Sequence, residues 1–181
     1  VAPLATLAPE LTYYVTGLAK HLGAGLRIAY VVAPDARASQ RLVSTLRATT
    51  IMAAPLTVAL ATRWINDGSA DVMLHAIRRE SQARQRLAAD LLPRKSYVSQ
   101  PDAFHLWLTL PPPWNRIDFA THLRSRGVGV VGSDAFVVSG TPPEAVRVCL
   151  GGSATLNDCR HSLELIADTL KEQPAVASAM F

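Results

Sequence analysis

Residues 12–34 read TYYVTGLAKHLGAGLRIAYVVAP, and this stretch decides how the first part of the chain folds. Aromatic and β-branched residues are concentrated in residues 13–15 and 26–32, which predicts two strands, the second of them buried. The segment between the strands is rich in small residues and contains Lys20, and Arg27 follows seven positions later. The pattern therefore predicts two strands whose connection carries an amine and a guanidinium.

Lys20 and Arg27 suit one kind of ligand chemistry. A lysine amine forms a Schiff base when desolvation or a neighbouring cation lowers its pKa, and the arginine fork matches a phosphate. Gly17, Gly23 and Gly25 would allow positive φ angles or the close approach of a planar ligand. Residue pattern alone also allows, and favours, a simpler interpretation in which Lys20 is solvated and Arg27 is a surface charge at a strand end.

The composition is that of a soluble globular protein. Of the 181 residues, 49% are apolar and 18% are charged, and the apolar runs fall short of the roughly 20 residues that a membrane span needs. Residues 1–10 lack the features of a secretory signal peptide. Cys149 and Cys159 make neither a disulfide framework nor a metal-ligand spacing. We therefore expect a cytoplasmic protein and, because the sequence starts with Val1 rather than Met, a piece of a longer chain.

The positive charge does not identify a partner. The formal net charge is +4, and much of the excess comes from Arg78, Arg79, Arg84 and Arg86. Glu80 precedes Arg84 by four residues, so the two side chains would pair on one helix face. This arrangement predicts a solvated helix rather than a surface that binds nucleic acid.

The pattern of hydrophobic residues divides the chain near residue 93 into two predicted domains, 1–93 and 94–181. The first is rich in helices and the second is a small α/β unit. Asp35, Ser69, Asn115 and Thr155 are the predicted N-caps. The predicted helices span residues 36–47, 55–65, 70–92, 116–126 and 156–170, and the predicted strands of the second domain span residues 95–98, 103–110, 128–131 and 145–150.

Other side chains in the second domain receive structural interpretations. His105 and Trp107 alternate with the apolar residues of their strand, which predicts a half-exposed face. Phe136 is predicted to be a core residue or part of a pocket wall. Cys149 and Cys159 are predicted to be small buried residues.

The segment 12–34 resembles the cofactor-lysine segment of fold-type-I aminotransferases, in which a strand and a small-residue turn lead to the lysine. Glycine, arginine and a small residue plus tyrosine then follow before the next strand. The resemblance continues in residues 127–136 (GVGVVGSDAF) and 145–151 (AVRVCLG), so it covers nearly the whole chain. It implies an α/β fold, namely the C-terminal part of the fold-type-I transferase fold that depends on pyridoxal 5'-phosphate (PLP): the end of the large domain plus the small domain.

The resemblance also implies roles for individual residues. Lys20 would form the Schiff base with PLP, and Arg27 would contact the cofactor phosphate. Thr16 is the nearby hydroxyl that remains for the phosphate, and the Tyr30 hydroxyl would lie near the lysine or the cofactor. Arg147 matches the family's arginine for the substrate α-carboxylate.

The sequence departs from the family pattern at several positions. Gly17 and Ala19 stand where the family commonly has hydroxyl residues, and a missing hydrogen bond to a phosphate would cost about 1.5–3 kcal/mol of binding unless it is replaced. Gly132 and Ser133 replace a Pro-Gly pair. The family aspartate that pairs with the pyridine nitrogen has Glu10 as its sole upstream candidate in this sequence.

The resemblance leaves two classes of function open. Residues 145–172 are most similar to the effector domain of MocR-type regulators of the GntR group, which join a DNA-binding domain to an aminotransferase-like domain. This implies a homodimer that senses PLP or an amino compound and reaches DNA only through an N-terminal domain outside this chain, with no membrane partner. The alternative is a fragment of an aminotransferase that acts on an amino acid. A third possibility is a structural unit without cofactor.

Overall fold

The computed structural model describes residues 2–172, and the chain divides into two compact units, Val1–Ile77 and Arg78–Phe181. The division falls inside a long helix, and the domain boundary that the sequence pattern placed near residue 93 stays a prediction. None of the helices that the described residues form is both long and apolar enough to cross a membrane. The first unit contains α1 (Leu4–Leu7), β1 (Tyr14–Gly17), β2 (Ala29–Val32), α2 (Ala36–Thr50), α3 (Pro55–Asn66) and the start of α4 (Ser69–Leu91).

Strands β1 and β2 form an antiparallel ribbon in which Tyr14 pairs with Val32 and Gly17 with Ala29. Both predicted strands are present, but the predicted burial of the second is wrong, because all residues of β2 are exposed. The buried positions, Leu26 and Ile28, precede the strand. A two-stranded ribbon cannot bury its own faces, so a run of apolar residues in the sequence did not ensure burial here.

The helices of the first unit begin close to the predicted residues. The Asp35 carboxylate accepts a hydrogen bond from the Ala38 N–H at 2.7 Å, which confirms the predicted cap of α2. Pro55 opens α3, where its fixed φ angle suits the first helical position. The predicted capping residue Ser69 is instead the first residue of α4, and Asp67 accepts its N–H at 3.0 Å. Hydrogen bonds from Ser69 hold the pKa of Asp67 below its usual value.

The second unit contains the helices α5 (Arg116–Ser125) and α6 (Leu156–Thr169) and the strands β3 (Tyr97–Val98), β4 (His105–Thr109), β5 (Val131–Gly132) and β6 (Ala145–Cys149). The strands form an antiparallel sheet in the order β3-β4-β6-β5. Each observed strand is shorter than the predicted one that it overlaps. The third is also shifted, because buried Val128 and Val130 precede β5 rather than belonging to it.

The continuous hydrophobic core of the described residues lies in this second unit. One face of the sheet packs with α5, α6 and the end of α4. The central residues of this core are Leu106, Leu108, Val146, Phe119, Leu123, Leu163 and Ile166. Helix α5 begins where predicted because the Asn115 side chain accepts the Ile117 and Asp118 N–H groups. Thr155 and Asp158 form the predicted capping box of α6, and hydrogen bonds from Thr155 hold the pKa of Asp158 below its usual value.

The second half of α4 differs from the solvated helix that its charges predicted. The Glu80–Arg84 pair forms, with Arg84 Nε 2.9 Å from Glu80 Oε1. Arg84 is nevertheless buried, at 7% exposure, because its Nη1 donates to the main-chain oxygens of Leu150 at 2.6 Å and Ser153 at 2.9 Å. Gln85 is also buried and donates to the oxygen of Ala103 at 2.8 Å. This part of the helix is attached to the sheet by polar as well as apolar contacts.

Candidate functional site

The end of the β1–β2 ribbon collects the residues predicted to bind a cofactor. Thr16 and Tyr30 are directly opposite each other in the ladder, where side chains of paired residues are neighbours on one face. One further hydrogen bond, from the Leu18 N–H to the Ile28 oxygen at 2.9 Å, extends the pairing beyond the strands. The connection between the two strands is therefore closed at its base by main-chain hydrogen bonds.

Lys20 and Arg27 both lie within this closed connection. Lys20 is the last residue of a 3₁₀ turn, Leu18–Lys20, which contacts a second 3₁₀ turn, Ala24–Leu26. The Lys20 side chain is exposed. The neighbouring His21 turns back toward the strand, with its Nδ1 3.0 Å from the Gly17 oxygen. The fold thus brings Thr16, Lys20, Arg27 and Tyr30 to one end of the ribbon.

Arg27 has an unusual backbone conformation. Its φ and ψ angles of 51° and 37° place it in the left-handed region, directly after the second 3₁₀ turn and before Ile28. A residue with a Cβ in this region carries a strain of about 1–3 kcal/mol. The glycines of this segment would allow positive φ angles, but the left-handed residue is the arginine. Such outliers persist where the surrounding structure imposes them, and they are concentrated at functional sites.

Arg147, the predicted carboxylate ligand, lies in the second unit at the centre of the sheet. It is opposite Trp107 on β4 and Val131 on β5, and Trp107 is in turn opposite Val98 on β3. Because side chains alternate along a strand, this row lies on the face that points away from the core. The half-exposed face predicted for Trp107 is confirmed.

Aromatic side chains surround Arg147. Its guanidinium carbon lies over the Phe136 ring, 4.9 Å from the ring centroid. Phe136 in turn makes an edge-to-face contact with Trp107 at a centroid distance of 5.6 Å. Phe136 is 44% exposed, so the interpretation as a core residue is wrong. Sequence reasoning missed the contact because it depends on strand register and on the loop after β5.

The two cysteines of the second unit have different surroundings. Cys159 is buried as predicted, and burial raises the pKa of its thiol. The predicted burial of Cys149 is wrong: it is exposed, opposite His105 on the sheet face that also carries Arg147. Among residues 2–172, no group of three or more His, Cys, Asp or Glu side chains is placed to hold a metal ion.

Comparisons with known proteins connect both units to one family. The family model for aminotransferase class I and II matches residues 1–166. The HTH-type transcriptional regulator YdeF of Bacillus subtilis (strain 168), described as uncharacterized, is 27% identical over 170 residues, which cover 93% of this chain and 37% of the regulator.

Solved structures show the same fold. The α-aminoadipate aminotransferase LysN of Thermus thermophilus superposes with a TM-score of 0.78 at 20% identity, over 94% of this chain and 46% of that enzyme. An archaeal alanine:glyoxylate aminotransferase superposes with a TM-score of 0.81 at 19% identity, over 96% of this chain and 44% of that enzyme. The predicted fold class, the C-terminal part of the fold-type-I transferase fold, is therefore confirmed. The chain spans less than half the length of each of these proteins.

Proposed function

The chain belongs to the aminotransferase class I and II family, and on that basis we propose that it is the PLP-binding effector domain of a MocR-type transcriptional regulator of the GntR group. The observation that carries the regulator interpretation is the similarity to an HTH-type regulator, 27% identical over 93% of this chain. The solved aminotransferases described above are 19–20% identical to it. In the full-length protein the DNA-binding domain would precede the aminotransferase-like domain.

The residues at the ribbon end fit PLP in their chemistry. The cofactor has an aldehyde and a phosphate, and the closed connection carries an amine at Lys20 and a guanidinium at Arg27. We propose that Lys20 holds PLP through a Schiff base and that Arg27 pairs with its phosphate. The hydroxyls of Thr16 and Tyr30, opposite each other at the end of the ladder, would donate further hydrogen bonds. When bound, PLP supplies an electrophilic carbonyl and an electron sink.

In the proposed regulator the chain's residues bind a ligand and transmit its presence. Arg147 would bind the carboxylate of an amino acid with its planar fork. A ligand that binds one conformation more tightly than another shifts the population toward that conformation. The shift would alter DNA binding through the N-terminal domain. We further propose a cytoplasmic homodimer, in accordance with the regulator function.

An aminotransferase is the alternative, because the solved enzymes of that class share the fold of this chain. In that case the Lys20 Nζ atom would also take up and return the α-proton of the substrate as a general base. The two functions use the same residues but differ in the result of ligand binding. In the enzyme the ligand is converted rapidly to product, whereas in the regulator it changes the affinity for DNA.

The full-length protein distinguishes the two functions in one pair of measurements. We expect amino compounds to change its affinity for the DNA upstream of its own gene at fixed salt concentration, as measured by fluorescence anisotropy. The turnover number for transamination with 2-oxoglutarate as acceptor should be far below the roughly 1–1000 s⁻¹ typical of enzymes. Turnover within that range, together with no ligand effect on DNA affinity, would establish the aminotransferase instead.

Replacement of Arg27 by glycine should affect stability and cofactor binding in opposite directions. Glycine adopts the left-handed conformation without strain, so the free energy of unfolding without PLP should rise by about 1 kcal/mol. Loss of the guanidinium should weaken PLP binding by about tenfold to a hundredfold, the range for a hydrogen bond to a charged group. Denaturant unfolding and titration with PLP measure the two effects. Arg27→Lys is the control, because it keeps the charge and the strain; equal PLP affinity in the glycine variant would exclude the phosphate role.

A further inference from the structure

The environment of Arg147 raises the question of what holds its guanidinium in place. An arginine side chain carries about 2 kcal/mol of rotamer entropy, which must be lost before its fork can bind a carboxylate in a fixed geometry. Arginines are commonly fixed by acceptors on Nε. The Nε atom of Arg147 is buried and has no hydrogen-bond partner among the described residues.

Phe136 contacts the guanidinium group of Arg147 itself. The guanidinium carbon lies over the ring at 4.9 Å, within the range of a cation–π interaction. The ring carries no oxygen or nitrogen acceptor, so this contact does not pair the guanidinium N–H groups with a protein carboxylate or carbonyl.

Phe136 is itself held in position. It ends a 3₁₀ turn, Ser133–Phe136, that begins with a fully buried serine whose hydroxyl donates to the Pro143 oxygen. Asp134 in the same turn pairs with Arg116 at 3.2 Å. The Trp107 ring contacts the Phe136 ring edge-to-face, with an interplanar angle of 73°. The turn, the ion pair and the indole together define where the Phe136 ring lies.

We propose that Phe136, supported by Trp107, is a positioning residue that orders the Arg147 guanidinium for a ligand carboxylate. This inference rests on the function proposed for Arg147. It assigns to Phe136 an effect on carboxylate recognition and none on cofactor attachment. It also assigns to the Phe136–Trp107 ring pair a role other than packing.

The experiment compares two ligands that differ in the carboxylate. L-Leucine and 3-methylbutylamine, and likewise L-phenylalanine and phenethylamine, are titrated into the PLP-loaded full-length protein, with the change in the visible absorbance band as the signal. We expect Phe136→Leu to weaken binding of both amino acids by about threefold to thirtyfold, the range of a cation–π contact, and to leave binding of the amines unchanged. Phe136→Tyr should retain the parent affinity. Trp107→Leu should give a smaller loss of the same selectivity.

Val138→Ala is the matched control, because Val138 lies two residues beyond Phe136 and is fully exposed. Equal losses for amino acids and amines in Phe136→Leu, or no preference of the parent protein for either amino acid over its amine, would overturn the proposal. A second measurement does not depend on the cofactor: the Arg147 Nε–H signal in ¹⁵N NMR should carry a ring-current shift that Phe136→Leu removes. An unchanged signal would also overturn it. Failure of the proposed function is visible separately, as a parent protein that gives no absorbance band with PLP.

Discussion

Replacing Lys20 by alanine is expected to abolish the visible absorbance band that the full-length protein develops with PLP. The band depends on a covalent bond between the cofactor aldehyde and the lysine amine, and alanine has no amine to form it. Reduction of the parent protein with borohydride should fix the cofactor to a single peptide that contains Lys20. Absorbance spectra and peptide mass spectrometry after reduction measure both outcomes.

Two further variants separate the loss of the covalent bond between Lys20 and PLP from the loss of a positive charge or of any exposed lysine. Lys95→Ala removes an exposed lysine of the second unit and should leave the band and the labelled peptide unchanged. Lys20→Arg keeps a positive charge, so it should retain weak noncovalent binding of PLP through the phosphate and develop no band. A band of full intensity in Lys20→Ala, or a label on Lys95 in the parent protein, would refute the assignment of Lys20.

Local features of the first unit followed from the sequence, whereas features that depend on neighbours did not. The Asp35 cap forms as expected because a cap needs just its own helix. The burial predicted for β2 from its apolar run is wrong, since burial requires another layer to cover the strand. The left-handed backbone at Arg27 had no sequence signal, because glycine is the residue that usually occupies such a position.

In the second unit the same distinction applies to the site around Arg147. Alternation along β4 correctly predicted the face that carries Trp107. That Trp107 is opposite Arg147 depends on the register of two strands separated by a helix and a short strand, which spacing alone does not specify. The position of Phe136 depends on the turn after β5 and its ion pair with Arg116, both of which are tertiary contacts.

Replacement of Arg84 by leucine should lower the free energy of unfolding by about 3 kcal/mol. The sequence predicted a solvated arginine at this position, whereas the structure gives it tertiary hydrogen bonds. Leucine removes the donors that satisfy the main-chain oxygens of Leu150 and Ser153. The bond to the Leu150 oxygen is buried and the bond to the Ser153 oxygen is partly buried, and a buried acceptor left without a donor costs about 1–3 kcal/mol. The remaining partner, Glu80, is half-exposed and regains water, so it adds little. The loss is measured by denaturant unfolding, where the midpoint should fall while the slope stays constant.

The control lies on the same helix. Arg86 is exposed, and Arg86→Ala should change the free energy of unfolding by no more than about 0.5 kcal/mol. Arg84→Lys should fall between the two variants, because lysine is one bond too short to place its ammonium where Nη1 meets both oxygens and has no second nitrogen for Glu80. Leu150 follows directly after β6, the strand that carries Arg147, so Arg84 also attaches the end of that strand to α4. If Arg84→Leu lowered the free energy of unfolding by less than about 1 kcal/mol, the two hydrogen bonds would not contribute to stability. The solvated helix predicted from the charges would then be the better description.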